Sequence, residues 1–318
     1  MELQPIPLAE IQAARERIKN WIVRTPLLRL NMDNVPAEIF LKLENLQPIG
    51  SFKLRGAGNA IAQASPEQLA GGVYTASAGN MAQGVAWNAR RLGIPCRVIV
   101  PDHAPQTKLD AITRLGGEII KVPFDTWWQV LVDHHYEGME GLFIHPVSDP
   151  AVMAGNGTIG LEILEDLPDV DAIIIPYGGG GLSTGIASAV RALKPDTKIY
   201  ACEVETAAPL AASLASGEPV EVAYTASFVD GIGSKALLRE MWPPVSQLVD
   251  ASLVVSLEEI AHALRLLLER NRVLAEGAGA ASVAAALAGK GGSGKVVCII
   301  SGGNIDLEKA AKVIGLLP

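Results

Sequence analysis

The sequence predicts an α/β protein made of two doubly wound parallel-sheet domains that face each other across a cleft. Three observations predict it. Short apolar, β-branched runs alternate with longer stretches of helical spacing. That alternation occurs twice, before and after His145-Pro146. Glycine-rich turns follow several of the apolar runs and open the next helical stretch, which is where open parallel sheets receive ligands.

The first unit reads in order as follows. Leu8, Ile11, Ala14, Ile18, Trp21 and Ile22 have helical spacing over 8–22, and that segment stops before Thr25-Pro26. Residues 39–43 read as a strand leading to a helix that carries Phe52, Leu54, Ala57, Ala60, Ile61 and Ala64. Then come a strand at 72–76, a helix at 80–92, a strand at 96–100, a helix at 108–115 and a strand at 118–122. The second unit has helices around 157–164, 182–193, 257–270 and 278–288, with strands at 172–176, 198–203 and 296–301. Residues 289–294 are expected to be a flexible surface loop, and His134-His135 a helix-surface pair.

Composition narrows the function. A chain of 318 residues with 49% hydrophobic and 19% charged residues buries a large core and suits one big domain or two moderate ones. The net charge of −8 argues against nucleic acid or an anionic membrane surface as the main partner. The N-terminus lacks a signal-peptide layout and no apolar run has spanning length, so a cytoplasmic location is expected. Cys96, Cys202 and Cys298 lie far apart in apolar, strand-like contexts and read as reduced core thiols. The five histidines offer no zinc spacing.

Chemistry concentrates at Ser51-Phe52-Lys53-Leu54-Arg55-Gly56-Ala57. Ser51 is a good N-cap, which puts Lys53 in the first turn of a helix. There the positive end of the macrodipole and the flanking Phe52 and Leu54 would favour the neutral amine that Schiff-base chemistry requires. A surface lysine at a helix start is the plain alternative.

Gly178-Gly179-Gly180-Gly181 follows the run Ile173-Ile174-Ile175 and opens a helix at Leu182, the arrangement in which backbone N–H groups converge on a phosphate. A dinucleotide site is the rival, with Glu203 as its ribose acid, but the Gly-x-Gly-x-x-Gly spacing fails in every register. The run from Gly289 to Lys295 imitates a P-loop but ends in Val296 and precedes its strand, which makes it a decoy. Ser77-Ala78-Gly79-Asn80 is a second anion seat at a helix start, and Ser301 is followed by two glycines that permit close approach.

Four stretches in this order, the Lys53 motif, Ser77 to Asn80, Gly178 to Leu182 and Ser301-Gly302-Gly303-Asn304, resemble the fold-type II pyridoxal-phosphate (PLP) enzymes. The branch they resemble holds the threonine/serine dehydratases and serine racemases. The likeness runs from about Arg24 to Leu307. It implies a tryptophan synthase β-like fold with the PLP site in the cleft. The large domain would comprise residues 1–51 and 147–318, and the small domain residues 52–146. It further implies PLP held by Lys53, with Phe52, Asn80, Gly178, Gly179, Gly180, Gly181, Leu182 and Ser301 around it. Ser77, Ala78, Gly79, Asn80 and Met81 would meet the substrate. The implied reaction is β-elimination of a β-hydroxy-L-amino acid, threonine or serine or a bulkier analogue such as phenylserine, to a 2-keto acid and ammonia. A neutral Ser301 hydroxyl at the pyridine nitrogen suits rapid elimination. A small-molecule amino-acid substrate and a homodimer or homotetramer are expected.

Departures from the pattern carry information. Ala78 occupies the place of the second acid/base of serine racemases, so racemisation is not expected. Met81 replaces a histidine common in threonine dehydratases; it makes either an apolar rim or core packing. Glu203 matches a metal ligand of serine racemases, but Pro209 stands where its partner carboxylate would be, so no metal is assigned. Glu276 and Asp230 either line the cleft or cap helices, and Tyr177 either shapes the pocket or packs. Isoleucine feedback is not expected, because the chain ends soon after Asn304. The alternatives are a β-replacement enzyme of cysteine synthase type and a non-catalytic amino-acid or nucleotide binder on the same fold.

Overall fold

The structure, a computed structural model, describes residues 3–317. Its elements in chain order begin with α1 (Leu8–Ile18), β1 (Leu27–Arg29), β2 (Glu38–Lys42), α2 (Lys53–Gln63), α3 (Pro66–Leu69), β3 (Val73–Ala76) and α4 (Asn80–Leu92). They continue with β4 (Cys96–Pro101), α5 (Gln106–Arg114), β5 (Glu118–Val122), α6 (Phe124–Asp133), β6 (Leu142–Phe143), α7 (Pro150–Asp166), β7 (Ala172–Pro176) and α8 (Gly181–Leu193). The last are β8 (Lys198–Val204), α9 (Pro209–Ser216), α10 (Trp242–Leu248), β9 (Ala251–Val255), α11 (Leu257–Leu266), α12 (Gly277–Leu287), β10 (Lys295–Ile299) and α13 (Leu307–Val313).

Two sheets organise these elements. The larger has the order β1-β2-β10-β7-β8-β9 and the smaller β5-β4-β3-β6. All pairings are parallel except that of β1 with β2. Parallel strands covered on both faces read as continuous apolar runs, and Ala172 to Pro176 is buried at every position for that reason. Separate apolar cores fill the two sides of the large sheet, one around Ile173, Ile186 and Ile299, the other around Ile174, Cys202 and Val283. The three cysteines are buried and free.

Several expectations need correction. Ser51 does not cap α2: Phe52 holds the N-cap position in helical conformation, while Ser51 bridges to Gly302 and its buried hydroxyl has no partner. The strand-like pairing with Gly302 wins because it fastens the start of α2 to the segment after β10. His134 and His135 are exposed, but they lie at the end of α6 and not along it: His134 adopts left-handed geometry there and stacks on the buried His145, ring centroids 4.2 Å apart. The helix expected over 257–270 stops at Leu266 and finishes as a wider π turn over Leu267–Asn271. Strands β1, β6 and β9 and helices α3, α6, α9, α10 and α13 were not anticipated. Most are short, and the Trp-Trp pair in α6 hides its helical period.

A buried ionic cluster joins the two units. Arg55 of α2 donates from Nε and Nη2 to Glu44 at 2.8 Å each, and from Nη1 and Nη2 to Glu162 of α7 at 2.7 and 2.9 Å. Lys42 Nζ donates to Glu162 Oε2 and to the Thr25 carbonyl, both at 2.6 Å, and the Thr25 hydroxyl donates to Glu44. Two cations and two carboxylates are thus paired out of water, the condition under which buried charges are tolerated.

Candidate active site

The site lies between the two sheets at the carboxyl ends of their strands, where doubly wound folds bind ligands. One cavity of about 440 Å³ is lined there by Phe52, Lys53, Ser77 to Met81, Gly178 to Leu182 and Ser301. All four sequence motifs therefore meet in one space, although Lys53 and Ser301 are separated by most of the chain.

Lys53 is the first residue of α2. Its Nζ donates to the Pro146 carbonyl at 2.6 Å and lies 5.1 Å from the centre of the Phe52 ring. Burial without a carboxylate partner pulls the lysine down to about 8. A neutral amine is thus accessible near physiological pH, as a nucleophile for an aldehyde requires.

The glycine loop is shaped by close approach. Gly180 has φ +98°, which glycine adopts without strain, and α8 begins at the next residue. A Cβ on Gly179 would come within 2.6 Å of the Val147 side chain, and one on Gly181 within 2.6 Å of the Val147 carbonyl. The loop is pressed against the crossing segment and presents amides at the N-terminus of a long helix. Beside it Tyr177 Oη, Ser183 Oγ and Thr184 Oγ1 are buried without hydrogen-bond partners. Tyr177 packs in the large core, and burial, with Glu203 adding to it, raises its hydroxyl far above the usual range. Leu182 is buried at the cavity wall.

On the small-sheet side, Ser77 to Gly79 follows β3 and Asn80 starts α4. Gly79 N–H donates to the Ser77 hydroxyl at 3.2 Å. Asn80 bridges the cleft: its Nδ2 donates to Glu276 Oε1 at 2.9 Å and its Oδ1 accepts from Asn304 Nδ2 at 2.7 Å. Glu276 thus faces the cleft and does not cap α12 with its side chain. Burial, reinforced by Asp230, pushes it up to about 7, against the lowering effect of the Asn80 bond. Asp230 also lines the cleft, paired with Lys108 of α5 at 2.9 Å. Met81 resolves as both alternatives: it is buried in the small-unit core, and it touches the cavity wall.

Glu203 is elsewhere. Its carboxylate accepts from the Leu210 and Ala211 amides at 2.9 and 2.7 Å and from the Ser252 hydroxyl at 2.6 Å, so it caps α9. Among the described residues no group of three His, Cys, Asp or Glu side chains is arranged to hold a metal.

Sequence reasoning missed the crossing at Pro146-Val147, which supplies the partner of Lys53 and the wall behind the glycines. It also missed His103, Phe124 and Trp127 in the cavity wall. The crossing has no periodic signal. Phe124, however, follows β5, and the strand-end rule already pointed there.

These residues fit pyridoxal phosphate. A depressed lysine suits its aldehyde, an amide-rich glycine turn with unpartnered hydroxyls beside it suits its phosphate, and the neutral Ser301 lines the same cavity.

Comparison with known proteins agrees. A family model described as pyridoxal-phosphate dependent enzyme matches residues 18–302. The chain is 42% identical to an L-threonine ammonia-lyase of Geobacter sulfurreducens over 97% of its own length and 78% of that protein. It is 39% identical to a catabolic L-threonine dehydratase of Staphylococcus aureus, covering 97% of this chain and 92% of that one. Among solved structures, maize serine racemase superposes with a TM-score of 0.90 at 34% identity, covering 98% of both chains. Threonine deaminase isoform 2 of Solanum lycopersicum does so with a TM-score of 0.87 at 32% identity, covering 99% and 91%. A half-buried, depressed lysine in one cavity with a glycine-rich turn, on this fold and across this length of match, places the chain in the pyridoxal-phosphate-dependent enzyme family, of fold-type II.

Proposed function

We propose that the protein is an ammonia-lyase that removes the β-hydroxyl and the amino group of a β-hydroxy-L-amino acid of the threonine and serine class, releasing a 2-keto acid and ammonia. The observation that carries this is the placement of one depressed amine, Lys53, in the same cavity as the glycine cradle, with Ala78 in the carboxylate loop. When bound, pyridoxal phosphate supplies an electron sink that acidifies the substrate's Cα–H. The protein's own residues do the rest. Amides of Gly178 to Gly181 and the first turn of α8 would hold the cofactor's phosphate. Ser77 and the backbone through Gly79 receive the substrate carboxylate. Asn80, held between Glu276 and Asn304, would meet the cofactor ring. Lys53, once freed, accepts the Cα proton. Its conjugate ammonium is steadied by the Pro146 carbonyl and the Phe52 ring. The Ala78 methyl moves no proton, so only one face of Cα meets a base and elimination is favoured over racemisation.

The same proposal assigns cofactor contacts to Phe52, Leu182 and Ser301 and substrate contacts to Ser77 to Met81. It divides the chain into a large domain of residues 1–51 and 147–318 and a small domain of residues 52–146. It also takes the enzyme to be a homodimer or homotetramer that works in the cytoplasm. The deciding experiment is keto-acid release from L-threonine, L-serine, L-threo-3-phenylserine and D-serine by the PLP-loaded protein. L-substrate turnover should fall about 10,000-fold in Lys53→Ala. Keto acid from none of the three L-substrates, with cofactor bound, would shift the reading to β-replacement.

A further inference from the structure

The carboxyl edge of the small sheet carries an aromatic wall that the elimination chemistry leaves unused. The strand order β5-β4-β3-β6 puts the ends of β3, β4 and β5 side by side along the cleft. Ser77 to Asn80 leave β3, His103 lies just past β4, and Phe124 opens α6 directly after β5. Phe124 and Trp127 stand three residues apart on one helix face with ring centroids 5.5 Å apart, and His103 packs on Phe124 at 5.9 Å. All three line the same cavity as Lys53. Phe124 is nonetheless 49% exposed, so about half of this cavity-lining residue is left to water.

Span decides what can use it. Neighbouring strands lie about 4.8 Å apart, so the carboxylate loop after β3 and the aromatic pair after β5 are separated by roughly 10 Å. A threonine anchored by its carboxylate carries a single methyl on Cβ and cannot cross that gap. A ring on Cβ reaches several ångströms further and meets the wall at the contact distance of about 4 Å. Flat aromatic faces met by a ring at offset or edge-on geometry make a selective contact. The polar atoms of the trio are the Trp127 indole N–H, buried without a partner, and the His103 ring, exposed 3.3 Å from Asp102, while Lys108 and Asp230 line the same cavity paired with each other.

We infer that His103, Phe124 and Trp127 form the side-chain subsite for an aryl group on Cβ, so that the preferred substrate class is the β-aryl-β-hydroxy-L-amino acids. This deepens the lyase reading and rests on it for the position of the amino acid.

The test separates the two. The PLP-loaded enzyme is titrated with L-phenylalanine and with L-2-aminobutyrate, which carry the aryl and the methyl on Cβ but no leaving group. Binding is followed by calorimetry and by the cofactor's absorption. L-phenylalanine should bind about tenfold or more tightly, the scale on which apolar pockets discriminate. That ratio should fall toward one in the Phe124→Ala/Trp127→Ala variant and to an intermediate value in Phe124→Leu, which is retained as the milder change. Equal affinities in the wild type overturn the inference, as does a ratio that both variants leave intact. Keto-acid release from L-threo-3-phenylserine and L-threonine is scored separately. No release from either would sink the lyase reading, and the binding ratio would still judge the aromatic wall.

Discussion

Lys53 and Arg55 are two residues apart in the first turn of α2 and both are cations withdrawn from water, Arg55 wholly and Lys53 in part, yet they have opposite fates. Arg55 meets two carboxylates that between them accept from all three of its nitrogens, and this pairing raises it above its ordinary value despite the desolvation. Lys53 meets one carbonyl and one ring face, and desolvation lowers it to about 8. Burial alone does not decide what a charge becomes; the stoichiometry of its partners does. The paired cation fixes the helix, and the under-paired one is left reactive on it.

Breaking the paired side should have the largest effect. Arg55→Met leaves Glu44 and Glu162 buried with too few partners, and we expect a loss of about 3–5 kcal/mol in urea unfolding. Near wild-type stability would show that the cluster is not what anchors α2. Next comes Glu276, another under-paired group. Its folded value of about 7 lies above the ordinary 4.5, so its contribution to stability is full below about 4.5 and is lost as pH rises through 7. For the cofactor-free protein this predicts a decline of about 3 kcal/mol relative to Glu276→Gln across that window. Parallel pH profiles for the two would contradict it. Lys53 itself should sharpen the comparison kinetically. The rate of pyridoxal-phosphate capture by the cofactor-free protein should rise about tenfold per pH unit up to about 8 and then level off. A profile still rising at pH 10 would mean an ordinary lysine. The smallest effect concerns the cradle. Gly179→Ala sets a methyl against Val147 and should weaken cofactor binding about tenfold, with partial recovery in Gly179→Ala/Val147→Ala.

How much of this was written in the sequence depends on the kind of signal. Repeated periodicity and glycine turns gave the alternating elements, and the residues of the four motifs gave the cavity wall, because each is local. Ser51 shows the limit. Its N-cap preference is real, but pairing with Gly302, some 250 positions away, overrode it. Lys42, Glu44, Arg55 and Glu162 are scattered along the chain, and only the packing of α2 on α7 reveals that they neutralise one another. The Pro146 carbonyl is invisible for a different reason. Any residue has one, and its value comes from where the chain crosses.

The placement of β2 between β1 and β10 also has a temporal consequence. The small sheet is drawn from one continuous stretch, whereas β2 finds its parallel neighbour only when β10 is available at the other end of the chain. Long-range parallel pairing is slow, so the small sheet should gain amide protection first in pulse-labelled refolding. Because Ser51 and Phe52 are fastened to Ser301 and Gly302, just past β10, the setting of the lysine is complete only once β10 has paired. The nascent chain therefore carries an ordinary lysine, and aldehyde reactivity at Lys53 is a property that arrives with completion of the fold.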